Sequence, residues 1–120
     1  MSKILIVDDD TTITELMKAL VKMEGHDATT VNDSLQAVEI AYTVSPDLIT
    51  LDLMMPGLTG LELCKILHGD PKFTKTPIVI ISAKDDPESR RLASEAGAKD
   101  FLTKPFSVDN LIKKINEWTG

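Results

Sequence analysis

The stretch Lys3-Ile4-Leu5-Ile6-Val7-Asp8-Asp9-Asp10 sets a strand-length apolar run directly against three carboxylates. The same arrangement returns further along the chain: Leu48-Ile49-Thr50-Leu51 runs into Asp52, Ile78-Val79-Ile80-Ile81 into Ser82, and Asp100-Phe101-Leu102-Thr103 into Lys104. A weaker strand is expected from Asp27 to Val31. Helix-like stretches separate these runs, and that alternation predicts βα units assembled into a parallel sheet of five strands with five helices. The third strand is apolar apart from Thr50, as a strand covered on both faces must be.

The intervening segments carry helix signals of their own. Ile13, Leu16, Met17, Leu20 and Val21 fall on one face at helical spacing, with a capping-box pattern at Thr12 and Glu15 and Gly25 placed to end the helix. A second helix is expected from Ser34 to Val44, with Asp33 as N-cap and Pro46 as its stop. Thr59 and Glu62 repeat the capping-box pattern ahead of Leu63, Ile66 and Leu67, and Gly69-Asp70-Pro71 breaks that helix. Asp86-Pro87-Glu88 reads as N-cap and first turn of a fourth helix. That helix offers only Leu92, Ala93 and Ala96 to a core, so its docking should be the loosest. Leu111, Ile112, Ile115 and Trp118 mark one side of the last helix, after Ser107.

At 120 residues and 13.2 kDa the chain is expected to form a single domain over 1–120. Apolar residues make up 42% and charged residues 27%, enough hydrophobicity for a packed globule. No apolar run approaches a bilayer span, and no secretory pattern follows Met1, so a soluble cytoplasmic protein that does not contact membranes is expected. The lone Cys64 cannot form an internal disulfide, in keeping with a reducing compartment. A net charge of −6 argues against a nucleic-acid surface on this domain.

In a doubly wound sheet the ligand site lies beyond the carboxyl ends of the strands, where strand order reverses. Asp8, Asp9, Asp10, Asp52, Ser82 and Lys104 therefore converge on one edge. Asp10 has a plain reading as a helix cap. Asp8, Asp9 and Asp52 crowded together would repel one another, and a hard divalent ion resolves that. Magnesium suits a partial cage of carboxylates completed by water and a phosphate oxygen. A hydroxyl and an ammonium aimed at the same place are what a phosphoryl group needs, and Asp52 is the natural nucleophile.

These residues resemble the response-regulator receiver domain of two-component signalling. The resemblance covers essentially the whole chain. It rests on Ile6-Val7-Asp8-Asp9-Asp10, Asp52-Leu53-Met54-Met55-Pro56-Gly57-Leu58-Thr59-Gly60, Ile81-Ser82-Ala83-Lys84 and Gly97-Ala98-Lys99-Asp100-Phe101-Leu102-Thr103-Lys104-Pro105-Phe106, in this order and spacing. It implies a flavodoxin-like sheet of order 2-1-3-4-5. By the same resemblance Asp52 is the phosphoacceptor, and Mg2+ is held by Asp9 directly, Asp8 through water, Asp52 and the backbone carbonyl of Met54. Ser82 and Lys104 would contact the phosphoryl oxygens with the backbone amide of Ala83, Phe101 would be the aromatic switch residue, and Pro105 would follow a cis peptide bond. Met54 and Lys84 match positions that tune the lifetime of the phosphoryl group. Phe101 lacks the hydroxyl of a tyrosine, so no hydrogen bond from the ring can hold either rotamer.

The implied function is a phosphorylatable switch that catalyses at most its own phosphorylation and dephosphorylation. Its donor would be a histidine kinase or histidine phosphotransfer protein. A downstream target protein or effector domain would read a surface of helix four, strand five and helix five. Asp100, Arg91 and Lys113 could add charge contacts in a homodimer formed on phosphorylation. A haloacid-dehalogenase-type phosphatase is the competing reading, disfavoured because Asp52 is followed by Leu53-Met54 rather than an acid at the second position. A flavodoxin-like cofactor binder shares only the fold, and the acids after strand one would repel a flavin phosphate. Plainer roles are expected elsewhere: Met55 and Cys64 as packed residues, His26 and His68 as solvated side chains, and Arg90 and Arg91 as a solvated face. The end of the chain just after helix five reads as a single-domain regulator, with a receiver from a longer protein as the alternative.

Overall fold

The computed structural model describes residues 2–119. Five strands, β1 (Lys3–Val7), β2 (Asp27–Val31), β3 (Leu48–Leu51), β4 (Ile78–Ser82) and β5 (Asp100–Thr103), alternate with α1 (Thr11–Met23), α2 (Ala37–Val44), α3 (Gly60–Gly69), α4 (Pro87–Glu95) and α5 (Val108–Thr119). All neighbouring strands pair in parallel, in the order β2-β1-β3-β4-β5. This is the doubly wound arrangement that the alternating apolar runs and the resemblance lead one to expect.

Alternating strand residues feed two separate cores, because successive side chains leave opposite faces of a sheet. Leu5, Val7, Ile49, Leu51, Ile78 and Ile80 pack beneath α2, α3 and α4. Ile4, Ile6, Leu48, Val79, Ile81 and Leu102 pack beneath Met17 and Val21 of α1 and Leu111 and Ile115 of α5. Covered on both faces, β1, β3 and β4 have no room for a polar alternation, which is why they read as continuous apolar runs.

Two helix starts depart in part from the sequence reading, although Asp10 caps as its plain reading expects. Asp10, extended at φ −85°, caps α1 by accepting from Thr12 N at 2.9 Å and Ile13 N at 3.3 Å. Thr12 therefore lies inside the first turn, where its side chain cannot serve as the cap of a capping box with Glu15. The segment expected as one helix from Ser34 is instead a 3-10 turn, Ser34–Gln36, capped by Asp33, followed by α2. Ser34 is buried, its hydroxyl donating to Pro56 O at 2.9 Å and accepting from Leu58 N at 3.0 Å. That tie to the β3–α3 loop fixes Ser34 outside regular α geometry.

The other ends follow their signals. Gly25, at φ 88°, closes α1 with its amide on Lys22 O and that of His26 on Val21 O. Thr59 and Glu62 form the capping box of α3. Asp86 caps α4, accepting from Ser89 N at 3.2 Å and from the Ser89 hydroxyl at 2.6 Å. The docking of α4 is narrow: Ala93 is its buried apolar residue, joined by Ala96 at the C-cap, and Leu92 is half-buried. Cys64 of α3 is packed, as expected, and its thiol donates to Ala96 O at 3.6 Å. Burial pushes that thiol up to about 11, out of the nucleophilic range.

Two stability predictions follow from this geometry. A Cβ built on Gly60 would lie 1.9 Å from Asp52 O and 2.7 Å from Leu53 Cα, because α3 starts directly on the backbone of the site. Gly60→Ala should cost about 1 to 3 kcal/mol by overpacking, read as a lower urea midpoint at unchanged m-value. The Ser89 hydroxyl, helped by the Ser89 amide and opposed by burial, holds Asp86 down at about 2. Since the folded value lies below the ordinary 3.8, the cap's stabilisation is present above that pH and is lost as pH falls toward about 2. The urea midpoints of wild type and Asp86→Ala should differ at neutral pH and converge on acidification; a constant gap would refute the cap's ionic character.

Candidate functional site

The sheet ladder alone brings Asp8 and Asp52 together. Val7 pairs with Leu51, so the next residues of β1 and β3 emerge side by side at the point where strand order reverses. The ladder bonds continue one residue beyond each strand: Asp8 N donates to Val31 O at 3.0 Å and Asp52 N to Val7 O at 3.1 Å. Asp8 lies two positions after Ile6 and Asp52 four after Leu48, which places both on the α1–α5 side of the edge. Asp8 and Asp52 are buried, whereas Asp9 is exposed.

Lys104 crosses the end of β4 to reach them. Its amide donates to Ser82 O at 3.0 Å, extending the β4–β5 ladder, and its Nζ lies 2.5 Å from Asp8 Oδ2 and 3.0 Å from Asp52 Oδ2. The peptide bond between Lys104 and Pro105 is cis. Asp10 N donates to Asp8 Oδ1 at 3.0 Å, and Met54 N to Asp52 Oδ1 at 3.1 Å. Burial, the largest influence on Asp8, raises its carboxyl above the ordinary range despite the Lys104 ammonium and the Asp10 amide. Burial pulls on Lys104 in the opposite direction, yet its bonds to the two aspartates prevail and hold the ammonium charged.

Asp8, Asp9 and Asp52 each offer a carboxylate oxygen within 4.8 Å of the others. Such a set of hard oxygen donors fits a divalent cation, and Lys104 already shows that positive charge is favoured between two of them.

Ser82 is wholly buried at the end of β4. It lies two positions after Ile80, on the opposite side of the sheet from the acids, and its hydroxyl accepts Lys84 N at 3.2 Å rather than bonding to Asp8, Asp52 or Lys104. Ala83 is exposed beside it. Phe101 is half-buried against the same core as Ser82. Met54 is 61% exposed, while Met55 is buried as expected.

A model of the family described as response regulator receiver domain matches residues 4–116. The chain belongs to this family. This receiver domain is 36% identical over 113 residues to the DNA-binding response regulator MtrA of Mycolicibacterium paratuberculosis, a match covering 94% of the chain and 49% of that protein. It thus spans about half the length of the curated relatives it matches. The solved structure of Vibrio cholerae chemotaxis protein CheY4 aligns at a TM-score of 0.93 and 29% identity, covering 98% of both chains. The receiver domain of Francisella response regulator 1452 aligns at 0.90 and 37% identity, covering 99% of this chain and 97% of that one. Fold and signalling class are those of a two-component receiver, as the sequence motifs imply. No helix among the described residues is long and apolar enough to cross a membrane.

Several contributors escaped the sequence reading. Asn32 donates to Asp8 O at 2.9 Å and to Thr14 Oγ1 at 3.0 Å, which braces the β1–α1 turn. Ser34 braces the loop after Asp52 in the same way. Arg90 is exposed, as expected, yet its guanidinium carbon lies 4.4 Å from the Phe101 ring centroid, and Nη2 donates to Thr103 Oγ1 at 2.9 Å. His68 is half-buried against Gly97, which has φ 112°, and the half-buried His26 accepts from Ser2 N at 3.3 Å. Asp100 and Arg91 both make contacts within the chain. Asp100 Oδ2 accepts from Lys114 Nζ at 2.8 Å and Trp118 Nε1 at 2.9 Å, and Arg91 pairs with Glu95 at 2.6 Å.

Removing the ammonium while keeping the stem tests the electrostatics directly. Lys104→Met leaves two buried carboxylates facing each other and should lower stability by about 2 kcal/mol, below the figure for a fully buried pair because the lysine side chain is 16% exposed. Neutralising Asp8 as well, in Asp8→Asn with Lys104→Met, should recover part of that loss in urea unfolding; no recovery would contradict the charge argument.

Proposed function

We propose that the domain is a phosphorylatable switch in which Asp52 accepts a phosphoryl group from a phosphohistidine on a histidine kinase or phosphotransfer protein. The observation that carries this reading is one ammonium, Lys104 Nζ, within hydrogen-bonding distance of two buried aspartates at the strand-order reversal, with a third acid within 4.8 Å. A carboxylate oxygen of Asp52 attacks phosphorus in line, the bond from phosphorus to the imidazole nitrogen breaks, and the imidazole departs. Lys104 neutralises charge on the phosphoryl oxygens. Ser82 and the amide of Ala83 contact those oxygens from the β4 side.

The acid set fits Mg2+, which Asp8, Asp9, Asp52 and the Met54 carbonyl would hold. When bound, the ion supplies Lewis-acid charge against the phosphoryl oxygens. Asn32 and Ser34 keep the two loops that carry these groups from spreading. An apolar groove of about 350 Å³ beside the site, lined by Ile13, Leu16, Ala83, Lys104, Pro105 and Phe106, offers ground for the incoming donor.

A phosphoryl group on Asp52 adds charge and strong acceptors that draw the Ser82 hydroxyl from Lys84 N, and the β4–α4 loop moves with it. Phe101, on the same side of the sheet, then turns inward and changes the surface of α4, β5 and α5. A target protein or effector domain reads that surface, in a cytoplasm whose reducing state suits the free Cys64. The phosphatase reading is weaker, because Met54, two residues beyond Asp52, has no proton to give.

The test is mass spectrometry after incubation with a small phosphodonor and Mg2+. Wild type should gain one phosphoryl group and Asp52→Asn none, while Asp9→Ala should lose its response to the metal. Undiminished labelling of Asp52→Asn would end the assignment, and repeated turnover of a generic phosphomonoester would favour the phosphatase.

A further inference from the structure

Arg90 projects from the first turns of α4 onto β5, and three contacts hold it there. Its guanidinium carbon is 4.4 Å from the Phe101 ring centroid, its Nη2 donates to Thr103 Oγ1 at 2.9 Å, and its Nε donates to Asp85 O at 3.3 Å. Arg90 thus joins the β4–α4 loop, the start of α4 and two residues of β5. None of the salt bridges in the described residues involves Arg90, so its charge is directed at the ring and these oxygens rather than at a carboxylate.

We propose that Arg90 is the positioning residue of the switch, a latch that holds Phe101 and the β4–α4 loop in the conformation seen here and opposes the phosphorylated one. The proposal rests on the phosphoacceptor reading above. Phe101 has no hydroxyl to anchor it, so its place depends on what covers its face, and a planar guanidinium covers an aromatic face better than an ammonium does. The β4–α4 loop, which includes Asp85, must move if the Ser82 hydroxyl is drawn to a phosphoryl group. The same displacement pulls Asp85 O from Arg90 Nε and slides the guanidinium off the ring. A ligand that favours the second conformation must therefore work against the latch, and its apparent affinity falls by the corresponding factor.

Titration with beryllofluoride in the presence of Mg2+ measures this, followed by the amide shift of Met54 for binding and by the Phe101 ring shifts for the switch. Arg90→Met keeps the apolar stem and should tighten the apparent beryllofluoride Kd by about three- to tenfold. Arg90→Lys retains the charge without the planar fork and should behave like Arg90→Met. Thr103→Val removes only the hydroxyl acceptor and should shift the Kd in the same direction by a smaller factor, which covers the case of poor folding in the arginine variants. A merely structural Arg90 would lower the urea midpoint and leave the Kd unchanged. An unchanged Kd in all three variants, with a normal wild-type response, overturns the latch and leaves the phosphoacceptor intact. No response in wild type overturns the phosphoacceptor reading and the latch with it.

Discussion

Two buried aspartates at the ends of adjacent strands repel one another, and the rest of the structure is arranged around the cation that sits between them. Lys104 supplies it, at 2.5 and 3.0 Å from Asp8 and Asp52. Its backbone must therefore sit beyond β5, two strands from Asp52, so that the extended stem spans the end of β4. The loops on either side are braced by uncharged partners: Asn32 on the carbonyl of Asp8, Ser34 on Pro56 and Leu58, and α3 started by a glycine lying directly on the backbone of Asp52. Each brace is a neutral hydrogen bond or a close backbone approach. Among the described residues the lysine is the only countercharge paired with the two buried acids, so a cation or the proposed phosphoryl group would alter the site's electrostatics without first having to disrupt other ion pairs.

The two faces of the sheet are held to different degrees. On one side α5 buries Leu111 and Ile115, and Asp100 receives both Lys114 and Trp118, so α5 is bound to β5 by packing and by charge. On the other side α4 presents Ala93 and Ala96, small residues whose burial contributes little for each turn. What α4 lacks in apolar area it replaces with polar contacts at its start, through Asp86, Ser89 and Arg90. Polar contacts at a partly exposed surface can be exchanged for others at small net cost, whereas a well-packed leucine cannot. Motion is therefore expected in α4 and the loop before it, with α5 as the fixed reference.

Much of this was legible in the sequence, and the reason is periodic. Strands covered on both faces appear as unbroken apolar runs, and the strand-end rule then points to Asp8, Asp52, Ser82 and Lys104 without further information. What the sequence hid depends on contacts between distant positions that leave no period. Asn32 and Ser34 look like ordinary turn residues until the fold brings them against Asp8 and Pro56, 24 and 22 positions away. Phe73 follows a helix-breaking Gly69-Asp70-Pro71, yet it is buried and meets the Tyr42 ring edge-on at 5.1 Å. At the start of α1 the sequence carries two cap patterns over the same turn, Asp10 and the Thr12–Glu15 box, and the backbone turning after Asp8 settles the choice in favour of Asp10.

The position of Ser82 gives the site its direction. Its hydroxyl lies on the α2–α3–α4 side of the sheet, bonded to the Lys84 amide, while Asp52 and Lys104 occupy the α1–α5 side. A hydroxyl already pointing into the acid cluster would change little when charge arrived there. Because it faces away, bonding to a new acceptor on Asp52 requires the end of β4 to turn, and the chain beyond Ser82 leads directly to Asp85, whose carbonyl accepts from Arg90. In the proposed switch such a displacement would reach the Phe101 face through backbone and one guanidinium. The ring itself packs against the same core that Ser82 borders, so any inward rotation uses space on that side alone. On the proposed reading, charge added on one face of the sheet would change the shape of the other through the end of β4.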